Sequence, residues 1–121
     1  MSRFSKTAPA CSSAEHARRG RPALPARATL EDAAQMLEAA GDAQRLRLLV
    51  VLCGGPMTVG ELAALSSRTP SLVSQQLAVL RSARLVRAER RGRYMVYRLF
   101  DGHTQTFVES AVAHAKQTRA P

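Results

Sequence analysis

Residues 69–85, TPSLVSQQLAVLRSARL, contain the signals for a helix and for its first residue. Thr69 can accept a hydrogen bond from a free N–H group of the first turn, and Pro70 suits the first helical position because no N–H is needed there. One face of the predicted helix repeats at helical spacing and is apolar except for a single glutamine. Its members are Leu72, Val73, Gln76, Leu77 and Leu80.

The opposite face of this predicted helix carries small or polar side chains, namely Ser71, Ser74, Gln75 and Arg81. Hydroxyl, amide and guanidinium groups can hydrogen-bond the edges of DNA bases in the major groove, and a glutamine can pair with adenine. The face therefore predicts contact with DNA, although a core helix with a solvated outer side has the same pattern.

A second, shorter helix is predicted immediately upstream. Thr58 and Glu61 form a capping box, in which each side chain bonds to the other's backbone N–H, and the box opens a helix over Glu61–Leu65. The short polar link 66–68 joins it to the helix that begins at Pro70. Two helices joined in this way predict a helix-turn-helix.

A β-hairpin is predicted next, with strands Val86–Arg90 and Tyr94–Leu99 paired across Arg91-Gly92. Gly92 supplies the positive φ that such a turn commonly needs. The tip is basic and holds Arg90, Arg91 and Arg93. Helix, turn, helix and basic hairpin is the order of a winged helix-turn-helix. The helix cap, the polar helix face and the basic hairpin tip agree with one another. Together they favour DNA binding over the alternative of a core helix next to a solvent-exposed hairpin without function.

Three further helices are predicted, at Thr29–Ala40, Ala43–Cys53 and Asp101–Gln117. Thr29 with Asp32 three residues on is a second capping pattern, and Asp42 caps the next helix. The fold class is therefore mainly α with a small β-hairpin, in the order α-α-α-α-β-β-α. Residues 29–121 are predicted to form this domain. Residues 1–28, rich in Arg, Ser, Ala and Pro, are predicted to be a disordered basic tail.

The composition of the 121-residue chain favours a nucleic-acid partner. Its formal charge of +9 points to a polyanion, double-stranded DNA before a membrane surface. Aromatic residues make up only 4%, so a core this small and poor in aromatics suggests a homodimer. No apolar run approaches the roughly 18 residues of a membrane span. The two scattered cysteines, Cys11 and Cys53, fit a reducing cytoplasm.

Four motifs lie within residues 30–117: GDAQRLRLL at 41–49, VGELA at 59–63, SLVSQQL at 71–77 with RLV at 84–86, and GRYMVYRL at 92–99. Through these motifs the chain resembles the ArsR/SmtB family of bacterial metal-sensing repressors. The resemblance implies a homodimeric winged helix that binds operator DNA, represses an efflux or resistance operon, and leaves the DNA when metal binds.

The resemblance also implies two alternative sensor sites. One type uses cysteines at the start of the helix before the recognition helix. Thr58 occupies that position here, so the thiolate site is incomplete, although Cys11, His16 and Glu61 could mimic its other ligands. The other type uses both ends of the last helix, where the matching residues are Asp101, His103, His114 and Gln117. Gln117 departs from the glutamate that is usual there.

The spacing of the two histidines explains why the second type of site needs two chains. His103 and His114 are eleven residues apart. On a helix this places them on nearly the same face but ~16 Å apart along the axis. One metal ion with bonds of ~2 Å cannot join both. In an antiparallel pair of these helices, Asp101 and His103 of one chain would lie beside His114 and Gln117 of the other. The dimer would then have two symmetric sites. These ligands suit Zn²⁺, with Co²⁺ or Ni²⁺ as alternatives, and the neutral amide of Gln117 should weaken the site.

Two other functions stay open at this point. The same fold could sense thiols, sulfide or oxidants through Cys53 and Cys11, although the last helix holds no cysteine. The chain could also be an architectural DNA-binding protein without a ligand. An enzyme is not expected, because the sequence has no His-Glu-x-x-His, no phosphate-binding loop and no Ser/His/Asp set.

Overall fold

Five helices and three short strands make up residues 23–119, the part of the chain that this computed structural model describes. In chain order they are α1 (Arg27–Ala40), α2 (Ala43–Leu52), β1 (Met57–Thr58), α3 (Val59–Ser66), α4 (Pro70–Ser82), β2 (Val86–Arg91), β3 (Tyr94–Leu99) and α5 (Gly102–Arg119). The predicted order of four helices, a hairpin and a last helix is confirmed. No helix in this part of the chain is long and apolar enough to cross a bilayer.

Three of the four predicted helix caps are confirmed by their hydrogen bonds. The Thr69 hydroxyl accepts from the N–H of Leu72 at 3.2 Å, and Pro70 takes the first helical position. Thr58 and Glu61 form the full capping box. The Thr58 backbone N lies 2.9 Å from Glu61 Oε1, and the Glu61 backbone N lies 3.2 Å from Thr58 Oγ1. Asp42 accepts from two N–H groups of the first turn of α2. These caps satisfy donors that a helix start leaves free.

The start of the first helix was predicted wrongly. α1 begins at Arg27, its cap residue Ala26 makes no side-chain bond, and Thr29 lies inside the first turn. Arg27 and Glu31, one turn apart, form an ion pair at 3.3 Å. This pair supports a helix that begins N-terminal to Thr29. The predicted boundary at residue 29 therefore falls inside this helix. The rest of the predicted tail, residues 1–22 with Cys11 and His16, lies outside the described residues.

The strands form one antiparallel sheet in the order β1-β3-β2. Arg91 pairs with Tyr94, so the hairpin turns through residues 92 and 93, one residue later than predicted, and Gly92 has the expected positive φ of 63°. β1 was not predicted, because two residues are too few to show an alternating pattern. It pairs Met57 and Thr58 with β3 and thereby attaches the start of α3 to the hairpin.

The core lies under α4 and is built from leucine and valine. The fully buried side chains are Leu49, Leu62, Val73, Leu77, Leu80, Val86 and Val108. They come from five elements, and burial of each such side chain contributes about 1.5–3 kcal/mol. This packing holds the inner face of α4 against α2 and α3, which leaves its outer face free.

Candidate DNA interface and metal-binding residues

The turn before α4 is held by local hydrogen bonds. Ser67 adopts a left-handed conformation, with φ 56° and ψ 38°, and the N–H of Arg68 donates to Ala63 O at 3.2 Å. The buried Ser66 hydroxyl donates to Leu62 O at 2.7 Å. Since α3 runs through Ser66, the link between the helices is residues 67–69, one residue later than predicted. These bonds fix the direction in which α4 leaves α3.

The predicted base-reading face of α4 is on the protein surface. Ser71, Ser74, Gln75 and Arg81 are all exposed. Ser71, Ser74 and Gln75 lie in the first two turns of α4 and Arg81 lies in its last turn. In helix-turn-helix proteins the N-terminal residues of the recognition helix contact base edges. Arg81 is therefore placed for a phosphate more than for a base.

The hairpin tip exposes the three predicted arginines, but they are not equivalent. Arg91 Nε lies 3.4 Å from a carboxylate oxygen of Glu89, and Arg98 Nη1 lies 3.1 Å from the other oxygen. Exposed ion pairs contribute ~0–1 kcal/mol, so DNA phosphate can replace them. Arg90 and Arg93 form no ion pair within residues 23–119.

Sequence reasoning missed one exposed cation beside the recognition helix. Arg68 lies in the turn directly before α4. Because the start of a recognition helix approaches DNA, Arg68 is a further candidate for phosphate contact. Its position just before the cap residue Thr69 was the signal that could have identified it.

Asp101 has a structural role that the sequence analysis did not assign. Its Oδ1 accepts from the N–H of Thr104 at 3.0 Å and from the Thr104 hydroxyl at 3.2 Å, so Asp101 begins α5 as its cap. Its Oδ2 lies 3.6 Å from His103 Nδ1. The bond from the Thr104 backbone, with smaller effects from the Thr104 hydroxyl and His103, lowers the pKa of Asp101. The carboxylate is thus charged at neutral pH.

The other predicted ligands lie along one exposed side of α5. His103, His114 and Gln117 are all exposed, and the His103 side chain is 99% exposed. A shallow cavity of about 870 Å³ lies over the first half of this side, lined by Asp101, Gly102, His103, Thr106, Phe107, Ser110 and Ala111. The structure thus brings Asp101 and His103 together and leaves His114 and Gln117 further along the helix. Within residues 23–119 no three His, Cys, Asp or Glu side chains converge on a metal position.

The thiol alternative rests on Cys53, which packs against the core as a half-buried side chain. Desolvation by burial, and secondly the charge of Glu109, raise the pKa of this thiol. The thiolate is the reactive form, so this environment favours an inert cysteine. Cys11, the other predicted thiol, lies outside the described residues.

The hairpin is tied directly to the start of α5. Arg87 Nε donates to Phe100 O at 2.8 Å, and the guanidinium carbon lies 4.3 Å from the centre of the Phe100 ring. The N–H of Phe100 donates to Leu85 O at 2.9 Å. Because Asp101 follows Phe100, these contacts at the base of the hairpin hold the start of α5, where Asp101 lies.

Comparison with known proteins shows the family of this chain. Residues 42–88 match the family model described as bacterial regulatory protein, arsR family. The HTH-type transcriptional regulator NmtR of Mycobacterium tuberculosis is 39% identical over 83 residues, which cover 69% of each chain. The HTH-type transcriptional repressor SmtB of the same species is 38% identical over 94 residues, 78% of this chain and 70% of that one.

The fold also matches a solved structure, the homodimeric winged helix-turn-helix DNA-binding domain of a possible ArsR-family transcriptional regulator from Mycobacterium bovis. The TM-score is 0.72 at 24% identity, over 79% of this chain and 91% of that chain. The matched residues 42–88 include α2, the helix-turn-helix and the start of β2. The chain belongs to the ArsR/SmtB family of DNA-binding transcriptional regulators, which are not enzymes.

Proposed function

We propose that this protein is a homodimeric repressor that releases its operator when Zn²⁺, or alternatively Co²⁺ or Ni²⁺, binds across the α5 helices of the dimer. The observation that carries the proposal is the distribution of donors on one exposed side of α5. Asp101 and His103 lie together at its start, while His114 and Gln117 lie near its end.

The dimer is supported by apolar surface that one chain leaves uncovered. On α1, Leu30 is 48% and Leu37 is 60% exposed. On α5, Phe107 is half-buried and Ala111 is exposed. Monomeric proteins seldom leave adjoining apolar stripes open, so a second copy is the partner that fits both helices. Small residues such as Ser110 and Ala111 allow two α5 helices to approach closely.

The metal ligands are supported by charge and access. The Oδ2 atom of Asp101 is available to a cation, since the two capping bonds use Oδ1. The rings of His103 and His114 are exposed and can turn toward a neighbouring helix. When bound, the metal supplies a bridge between the two chains. Gln117 contributes a neutral amide oxygen, so this fourth ligand is weaker than a carboxylate.

DNA binding divides between two surfaces. Ser71, Ser74 and Gln75 read bases in the major groove, while Arg81 and the tip arginines Arg90, Arg91 and Arg93 hold phosphates or enter the minor groove. Metal bound across α5 favours a dimer in which the two α4 helices no longer match successive half-sites. By linkage, operator DNA must weaken metal binding by the same factor.

The test is operator binding, measured by fluorescence anisotropy with the gene's own upstream DNA and titrated with Zn²⁺. The variant His103→Ala should bind DNA normally and ignore Zn²⁺. The control His16→Ala should respond like the wild type, as should a protein carrying both Cys11→Ser and Cys53→Ser. Loss of the response in the cysteine variant, with a full response in His103→Ala, would move the sensor away from α5.

A further inference from the structure

Arg45, on the first turn of α2, joins three helices through a single side chain. Its Nε donates to Ala39 O at 2.6 Å, near the end of α1. Its Nη1 donates to Gln76 Oε1 at 3.2 Å, in the middle of α4. Its own backbone N–H is held by Asp42 at 3.1 Å. A planar guanidinium with several donors in a fixed fork can connect two acceptors in this way.

The hydrogen bond from Arg45 to α1 is made at the C-terminal end of that helix, where backbone carbonyl groups lack donors. The last carbonyl groups of a helix lack internal partners and form the negative end of its dipole. The last turn of α1 has no basic residue of its own. Arg45 supplies the missing cation from the next helix, and it is half-buried, so solvent screens this contact less than it screens a surface pair.

The bond to α4 lies on the inner side of the base-reading surface. Gln76 is half-buried and follows Gln75, which is exposed. A cavity of about 280 Å³ lies between α1 and α4, lined by Ala39, Arg45 and Val79 among others. Arg45 lines this cavity, so its guanidinium connects α1 to α4 beside a place where the two helices are not closely packed.

We propose that Arg45 is a positioning residue that sets the orientation of the recognition helix α4 relative to the dimer helix α1. When α1 shifts as the dimer changes shape, the two hydrogen bonds of the Arg45 guanidinium move Gln76 with it. The neighbouring base-reading side chains on α4 then move as well. The inference rests on the proposed function, since α1 matters to DNA binding only in a dimer.

The test compares Arg45→Lys with a matched control, Arg47→Lys, on the same helix. Arg47 is exposed and forms no side-chain hydrogen bond within residues 23–119. A lysine keeps the charge but cannot hold both acceptors in the same geometry. Arg45→Lys should lower operator affinity about tenfold, with dimerisation and Zn²⁺ binding to the free protein unchanged. Arg47→Lys should match the wild type.

Gln76→Met breaks the same link from the other side and should lower affinity to a similar degree. The double variant should be no weaker than either single one, because both remove one interaction. Arg45→Lys combined with Gln76→Glu should recover most of the affinity, since a carboxylate attracts the ammonium. If Arg45→Lys does not fold, the operator affinity of Gln76→Met decides the question. Its thermal midpoint shows whether that variant is folded.

Additive losses in the double variant would overturn the proposal, as would equal effects of Arg45→Lys and Arg47→Lys. A loss explained entirely by dissociation of the dimer would also overturn it. A wild-type protein that binds its operator but ignores Zn²⁺ would instead refute the sensor function, while the DNA affinities would still decide the role of Arg45.

Discussion

Removal of the cap on the recognition helix should lower both stability and DNA affinity by a related amount. Thr69→Ala deletes the hydroxyl that accepts from the N–H of Leu72 at 3.2 Å. Pro70 has no N–H, and the N–H of Val73 donates to Thr69 O at 3.0 Å. The loss therefore leaves Ser71 and Leu72 with free backbone donors at the start of the proposed base-reading face.

The size of the effect follows from these bonds. Loss of a threonine cap typically costs about 1 kcal/mol, within a range of roughly 0.5–2 kcal/mol. For a domain of this size that corresponds to a fall in thermal midpoint of ~4–8 °C. If the frayed first turn must re-form when Ser71 and Ser74 contact DNA, the same free energy lowers operator affinity about fivefold for each recognition helix, which is roughly thirtyfold for a dimer.

The assay is differential scanning calorimetry at one protein concentration, paired with anisotropy on operator DNA. Thr69→Ser keeps an acceptor at the cap and should stay close to the wild type in both measurements. An unchanged midpoint in Thr69→Ala would refute the assigned cap energy. A full loss of stability with unchanged DNA affinity would show that the first turn of α4 does not contact the operator.

Three further outcomes are expected. Gln75→Ala should cost ~1–3 kcal/mol on the cognate operator and little on random DNA; an equal loss on both would remove its role in sequence reading. Arg91→Ala should weaken binding to all sequences and reduce the slope of log affinity against log salt by roughly one per protomer, and an unchanged slope would mean that Glu89 retains this arginine in the complex. Gln117→Glu should tighten Zn²⁺ binding in a chelator competition, because a carboxylate replaces a neutral amide; weaker binding would exclude this position as a ligand.

The sequence by itself determined the features that depend on neighbouring residues. The caps at Thr58, Thr69 and Asp42 were predictable because each cap side chain and the backbone N–H that donates to it lie within three positions of each other. The inward and outward faces of α4 followed from helical spacing in the same way. Thr29 shows where local reading fails, since the Arg27–Glu31 pair belongs to a helix that begins two residues earlier. The cap that Asp101 forms with Thr104 also depends on neighbouring residues. It was not predicted, because Asp101 was considered only as a metal ligand.

Only the tertiary structure decided the contacts between residues that are distant in the chain. The pairing of Met57 with Tyr97 joins α3 to the hairpin, and two residues of strand carry no readable period. Arg45 reaches Gln76 across 31 positions, and no local pattern marks either residue as a partner. Such contacts arise when burial of the leucine core brings the helices together and leaves polar groups that must find partners.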